Sequence, residues 1–198
     1  MWFNLKKIKD ILTLIIGILL FLLSYRLDNY VNLFFKSLKF PFLEFILSIL
    51  TNFGIVIVVM LVIPSIVLYK KNKKLIYSLF LAFTSSFILA FILKLIVLRQ
   101  RPTEIFTHPN FSIINYPVIN ILYYSFPSMH AMVVFALLPI LIKYLSKQKN
   151  FWIVFSLLVA FSRLYFEFHF LSDVVFGALV GYFVGKFLLG YYERKQNK

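Results

Sequence analysis

Long apolar runs alternate with short clusters of lysine, proline and asparagine, and that alternation sets out the helices. A run of about 18 or more apolar residues is long enough to cross the roughly 30 Å of a bilayer's hydrocarbon core. Lys6, Lys7 and Lys9 precede an apolar run from Ile11 to Leu23. This resembles a signal peptide, but no small-x-small cleavage site follows, so a retained first helix over about 8–25 is expected. Residues 26–42, with Asp28, Asn29, Asn32, Lys36, Lys39 and Pro41, read as a polar connection. A second helix covers about 43–69; it holds Gly54 and Pro64, which membrane helices tolerate when neighbours satisfy the freed backbone groups. Lys70, Lys71, Asn72, Lys73 and Lys74 stop it, and a third helix covers about 75–98. Residues 99–126, with Pro102, Pro109, Pro117, Tyr116, Tyr123 and Tyr124, form a long interfacial loop suited to an ordered lid. Further helices are expected over about 129–145, 151–166 and 171–190. The last carries Gly177, Gly181 and Gly185, whose spacing of four lets a neighbouring helix approach closely, within this chain or in a dimer.

Composition agrees with this pattern. Of 198 residues, 62% are hydrophobic and 14% charged, against roughly 25% charged in soluble domains. Mean hydropathy is +0.90. The expected class is therefore all-α: a polytopic membrane protein of six transmembrane helices forming a single domain over 1–198. The absence of cysteine excludes disulfides and thiolate metal sites.

The net charge of +14 raises the possibility of a nucleic-acid partner, but its distribution points to membrane orientation. With six spans, fourteen of the 21 Lys and Arg residues fall on the side of the two termini and seven on the other. The positive-inside rule then puts the termini in the cytoplasm of a multi-pass plasma (inner) membrane protein, with no nucleic acid as partner. It also brings Lys94, Arg101, His130, Arg163, His169 and Asp173 to the outer face, the periplasmic or extracellular side.

These residues form three clusters. In the first, Lys94 lies six residues before Arg101 and Pro102; the default for a lysine so near a helix end is snorkelling to the interface. The second is Pro127, Ser128, Met129 and His130, a helix start whose free N–H groups and dipole suit an anion. The third is Ser162 and Arg163, then His169 and Asp173. His169 and Asp173, four apart, share one face of a helix, where a carboxylate fixes the imidazole tautomer. An ordinary ion pair is the bland alternative. Together the clusters supply three cations, helix N–H groups, two histidines and an aspartate, without the carboxylate density that magnesium or calcium needs. That set suits a dianionic phosphate, with histidine chemistry and neither metal nor cofactor. His108 reads as a loop residue, Glu167 as a solvated or paired interfacial carboxylate, and Arg99 as an interfacial anchor ahead of an aid in attracting anions.

The three blocks resemble the signature of the type-2 phosphatidic acid phosphatase family, which also contains bacterial acid phosphatases and vanadium haloperoxidases. The family pattern Lys-x6-Arg-Pro, Pro-Ser-Gly-His, Ser-Arg-x5-His-x3-Asp reads here Lys94–Arg101-Pro102, Pro127-Ser128-Met129-His130, and Ser162-Arg163–His169–Asp173. The resemblance covers about 75–190. It implies that His169 is the nucleophile and forms a phosphohistidine, that Asp173 orients it, and that His130 is the general acid. Lys94, Arg101 and Arg163 would bind phosphoryl oxygens, helped by Ser128 and the Met129 amide, with Ser162, Pro102 and Pro127 in support. Met129 replaces the motif glycine and should add bulk beside the phosphate.

The implied activity is hydrolysis of a membrane lipid phosphate: undecaprenyl diphosphate first, then phosphatidylglycerophosphate, phosphatidic acid or lipid A. The short chain suggests a bacterial or archaeal enzyme. Phosphoryl transfer to another lipid would use the same residues. A binding or transport protein would need the cations but not the paired histidines. Oligomeric state is not legible.

Overall fold

The computed structural model describes residues 2–69, 73–102 and 123–196, and among them there is no strand. The helices are α1 (Trp2–Ser37), α2 (Pro41–Thr51), α3 (Phe53–Tyr69), α4 (Lys73–Val97), α5 (Met129–Tyr144), α6 (Lys149–Tyr165) and α7 (Leu171–Gln196). His108, Pro109, Tyr116, Pro117, Lys70, Lys71 and most of the expected lid lie outside the described residues.

Helix α1 runs well past the expected end near residue 25, and the connection expected over 26–42 is helical as far as Ser37. Nothing between Gly17 and Pro41 breaks a helix, and the polar residues that suggested a loop include one turned inward. Gly17, Ser24, Asp28 and Phe35 form a narrow buried stripe, while most of the remaining α1 side chains described are exposed. Leu19 (60% exposed) and Leu22 (56%) belong to the outward face, as suits a helix against lipid. Pro41 then opens α2, with Phe40 held extended before it.

The second expected helix is two segments bent by 59° at Asn52. Asn52 is extended, and its side chain accepts from the Ile55 amide at 3.3 Å, capping α3. Within α3 a π turn, Val58–Val62, precedes Pro64. The wider turn accommodates a ring that would otherwise meet the preceding carbonyls.

Among the described residues, three stretches have the length and hydropathy of a span: Asp10–Ser37, Lys73–Val97 and Leu171–Lys195, with the bent pair α2–α3 a fourth. Helices α5 and α6, at 16 and 17 residues, are shorter than the roughly 20 residues a span needs. Helix α5 is central and buried along most of its length, in a cluster with Met60, Leu79 and Val159.

Helices α5 and α7 touch backbone to backbone. A Cβ on Gly177 would lie 2.7 Å from the Ser128 carbonyl oxygen, on Gly181 2.1 Å from that of Met132, and on Gly185 1.9 Å from that of Ala136. The glycine row therefore serves an internal helix contact. In lipid the hydrophobic effect does little to join helices, so such close packing carries much of the association. Buried hydroxyls bond within their own helices: Ser86 to the Phe83 carbonyl at 2.9 Å and Ser156 to that of Trp152 at 2.8 Å.

Candidate active site

The chain direction alternates, so the C-terminal ends of α4 and α6 and the N-terminal ends of α5 and α7 meet at one end of the bundle. Lys94, Ser128, Arg163 and Asp173 come from these four ends, and Arg101 and His169 from the adjoining loops. Leu98 has a φ of 53° and Glu167 a φ of 54°, left-handed conformations that turn the chain sharply out of α4 and ahead of His169.

The three cations all point inward and hold backbone carbonyls. Lys94 does not snorkel: it is 2% exposed and donates to the carbonyls of Tyr124 and, at 3.4 Å, Ser125. Arg101 donates from Nε to the Tyr123 carbonyl at 3.2 Å and from Nη1 to that of Phe168 at 2.9 Å. Burial lowers its pKa to about 10, with the Asp173 charge opposing the shift. Arg163 donates to the Thr51 hydroxyl and, at 3.4 Å, to the Thr51 carbonyl, and lies 4.6 Å from the centre of the Phe168 ring.

His130 Nε2 lies 3.0 Å from the Thr51 carbonyl oxygen. A carbonyl only accepts, so Nε2 carries the proton and Nδ1 holds the lone pair of the neutral ring. Phe53 packs edge-on at 4.7 Å between ring centres. The bend between α2 and α3 thus presents one backbone oxygen to the histidine and one hydroxyl to the arginine.

His169 Nδ1 faces Asp173 Oδ2 at 3.7 Å, and both side chains are almost wholly buried. The His169 amide donates to the Arg163 carbonyl at 3.2 Å. Burial above all holds the imidazole well below its usual 6.5, followed by the positive charges of Arg163, Arg101 and Lys94. His169 is therefore neutral at pH 7. With its proton on Nδ1 toward Asp173, the lone pair lies on Nε2.

Asp173 also accepts from Arg99 Nη1 at 2.7 Å on Oδ1 and from the Phe170 amide at 2.8 Å on Oδ2. The second bond is half of a capping box at the start of α7. Arg99 is consequently no interfacial anchor, because it binds two buried carboxylates, Asp173 and Asp28. Glu167 is paired, with Lys39 at 2.9 Å.

Ser128 caps α5 without a side-chain cap bond, and its own amide donates to the Asp173 carbonyl at 3.1 Å. The first amides of α5 have no intrahelical acceptor and mark the positive end of its dipole. Met129 adds no bulk at the site's mouth: its side chain is 9% exposed and packs in the central cluster. Ser162 donates to the Val159 carbonyl at 2.7 Å, which keeps it within α6. Pro127 follows a cis peptide bond from Phe126, and Pro102 lies in a bend after Arg101.

Among the described residues, Ser128 Oγ, Arg163 Nε and His169 Nδ1 are buried without a hydrogen-bond partner. Unsatisfied buried polar atoms are rare and costly; His169 Nδ1 faces Asp173, which leaves Ser128 Oγ and Arg163 Nε for a polar ligand to satisfy.

The sequence pattern assigns no role to Thr51 or Ser172, and it reads Asp28 as part of a polar connection and Arg99 as an interfacial anchor. A polar Thr51-Asn52 pair within an otherwise apolar stretch was the available signal for the bend.

Comparison with known proteins completes the picture. The transmembrane PAP2-type phosphatidylglycerophosphate phosphatase of Bacillus subtilis is similar in fold, with a TM-score of 0.67 and 22% identity over 91% of this chain and 96% of its own. No curated protein matches the chain significantly. The model of the PAP2 superfamily matches residues 74–197, well over half of the chain and spanning all three clusters, and the chain belongs to that superfamily.

Proposed function

We propose that this protein is a metal-independent lipid phosphatase that works through a phosphohistidine on His169. The observation that carries this reading is the neutral, buried His169 backed by Asp173 and ringed by Lys94, Arg101 and Arg163. A simple anion-binding pocket needs the cations, but not a nucleophile with an orienting carboxylate.

In the proposed reaction the phosphate oxygens displace backbone carbonyls from the three cations and take up the Ser128 hydroxyl and the first α5 amides. His169 Nε2 forms a bond to phosphorus as the bond from phosphorus to the lipid's oxygen breaks. His130, protonated on entry of the dianion, gives its Nδ1 proton to that leaving oxygen while Nε2 remains on the Thr51 carbonyl. Asp173 balances the charge that develops on His169. Water then attacks the phosphohistidine, His130 takes its proton, and inorganic phosphate leaves. Dividing the displacement into two steps lowers the barrier of each.

If the chain crosses the membrane six times, with α5 and α6 as short spans, fourteen of the 21 Lys and Arg residues lie on the side of the termini, which supports cytoplasmic termini and an outward-facing site. The substrate then lies in the outer leaflet, its headgroup at the site and its tails in the bilayer. An isoprenyl diphosphate such as undecaprenyl diphosphate is the first candidate, because it is released on that face. Phosphatidylglycerophosphate and phosphatidic acid follow.

Phosphate release by purified protein in detergent, from a panel of these lipids and in EDTA, tests the reading. Release that is lost in His169→Ala supports it. A folded protein that binds the lipids and releases nothing overturns it.

A further inference from the structure

Residues 1–73 lie outside the segment that the superfamily model matches. Yet side chains from that part reach the site: Thr51 and Phe53 at Arg163 and His130, and Asp28 behind Asp173. Asp28, 4% exposed in the C-terminal third of α1, accepts from Arg99 Nη2 on Oδ2 at 2.7 Å. It accepts from the Ser172 hydroxyl on Oδ2 at 2.6 Å and from the Ser172 amide on Oδ1 at 2.8 Å. Arg99 Nη1 in turn donates to Ser172 Oγ and to Asp173 Oδ1, both at 2.7 Å. The guanidinium lies 4.0 Å from the centre of the Phe170 ring, and the Arg99 carbonyl accepts from the Ser125 amide at 2.7 Å.

We propose that Asp28 and Arg99 are positioning residues for the Asp173–His169 pair, so that the N-terminal helix completes the catalytic unit. This rests on the phosphatase reading above.

Arg99 grips Oδ1 of Asp173 and the Phe170 amide grips Oδ2, so the carboxylate cannot rotate away from His169 Nδ1. Arg99 is itself fixed by Asp28, Ser172 and the Phe170 ring. A bare arginine at 2.7 Å would quench the carboxylate on which His169 depends. Asp28 shares that positive charge, leaving Asp28, Arg99 and Asp173 with one net negative charge between them. Among the described residues, the other charged and titratable groups acting on His169 are Arg163 from α6, Lys94 from α4, Arg101 from its loop and His130 from α5. All of those that carry charge are cations, so the compensating negative charge comes from Asp173 and Asp28.

The test uses the full chain in detergent. Asp28→Asn keeps the shape and the acceptor oxygen for the Ser172 amide but removes the charge. It is expected to lower kcat by about tenfold, with KM changed less than about threefold, as for partners one shell out from a reacting group. It also lowers the pKa of His169, because a negative charge has gone, so the acid limb of kcat/KM moves to lower pH. Arg99→Gln lowers kcat further, Arg99→Lys recovers part of it, and Asp28→Asn adds little in the Arg99→Gln background, since one interaction has already been lost. Titration of ¹⁵N-labelled histidines by NMR, with His169 assigned from His169→Gln, reads the same shift without turnover. A downward shift of His169 in Asp28→Asn supports the proposal. An unchanged His169 titration, or a loss of thermal stability with kcat and pH profile intact, overturns it. Absence of phosphate release by the wild type would instead overturn the phosphatase reading, and the NMR titration would still decide the role of Asp28.

Discussion

His130 Nε2 and the Thr51 carbonyl oxygen are 3.0 Å apart, and the Thr51 hydroxyl is bound by Arg163. One residue at a helix bend therefore sets the tautomer of the proposed general acid and the position of a phosphate-binding cation. Thr51→Val keeps the carbonyl and removes the hydroxyl. We expect kcat/KM to fall roughly ten- to a hundredfold, the range of a lost hydrogen bond to a charged group. The loss should fall mainly on KM, because Arg163 is misplaced while His130 keeps its partner. Steady-state kinetics on the best lipid substrate checks this.

Asn52 supports the same bend by capping α3. Asn52→Ala should cost about 1 kcal/mol of stability. Thermal unfolding in detergent measures it.

The glycine row supplies a test of the packing that places the site. Gly181→Ala and Gly185→Ala each push a Cβ into a backbone carbonyl of α5, at 2.1 and 1.9 Å before relaxation. Backbone cannot yield as a flexible side chain can, so a loss of about 1–3 kcal/mol or more is expected. Activity should fall too, because α5 carries Ser128 and His130 while α7 carries Asp173. Gly190 has nothing within 4 Å of an added Cβ, and Gly190→Ala is the neutral control.

The pH dependence has a definite sign. His169 binds its proton less readily in the folded protein than in the unfolded chain, where its pKa is about 6.5. The folded state therefore binds fewer protons. The stability linked to His169 is present above about pH 6.5 and is lost as pH falls below it. The acid limb of kcat/KM in the free enzyme should likewise lie below 6.5. Melting temperature against pH, compared between wild type and His169→Gln, isolates this contribution.

Met129 gives a sharper prediction than its departure from the motif suggested. Its side chain is packed in the core, which leaves its amide to the site. Met129→Gly should change kcat/KM by less than about threefold, while backbone freedom and lost packing cost about 1 kcal/mol or more.

The sequence carried the helical class and the three clusters because apolar run length and motif spacing are local properties. Lys94 illustrates the limit. Its place near a helix end suggested snorkelling, but the carbonyls of Tyr124 and Ser125, some thirty residues on, turn it inward. Arg99 was misread for the same reason, since its partner Asp28 lies 71 residues away. Asp28 looked like part of a polar connection because only the completed bundle shows that it faces inward. The Thr51 contact to His130 uses a backbone carbonyl, which every residue type has, so no side-chain pattern announces it.

The most direct test of the account is to trap the phosphoenzyme. Protein mixed with a ³²P-labelled lipid phosphate or diphosphate is quenched in alkaline detergent within one turnover, digested, and the labelled peptide identified. The account predicts a label stable to base and labile to acid on His169, absent in His169→Gln, whose turnover falls by about 10⁴-fold or more. Phosphate release without a labelled enzyme, undiminished in His169→Gln, would contradict it.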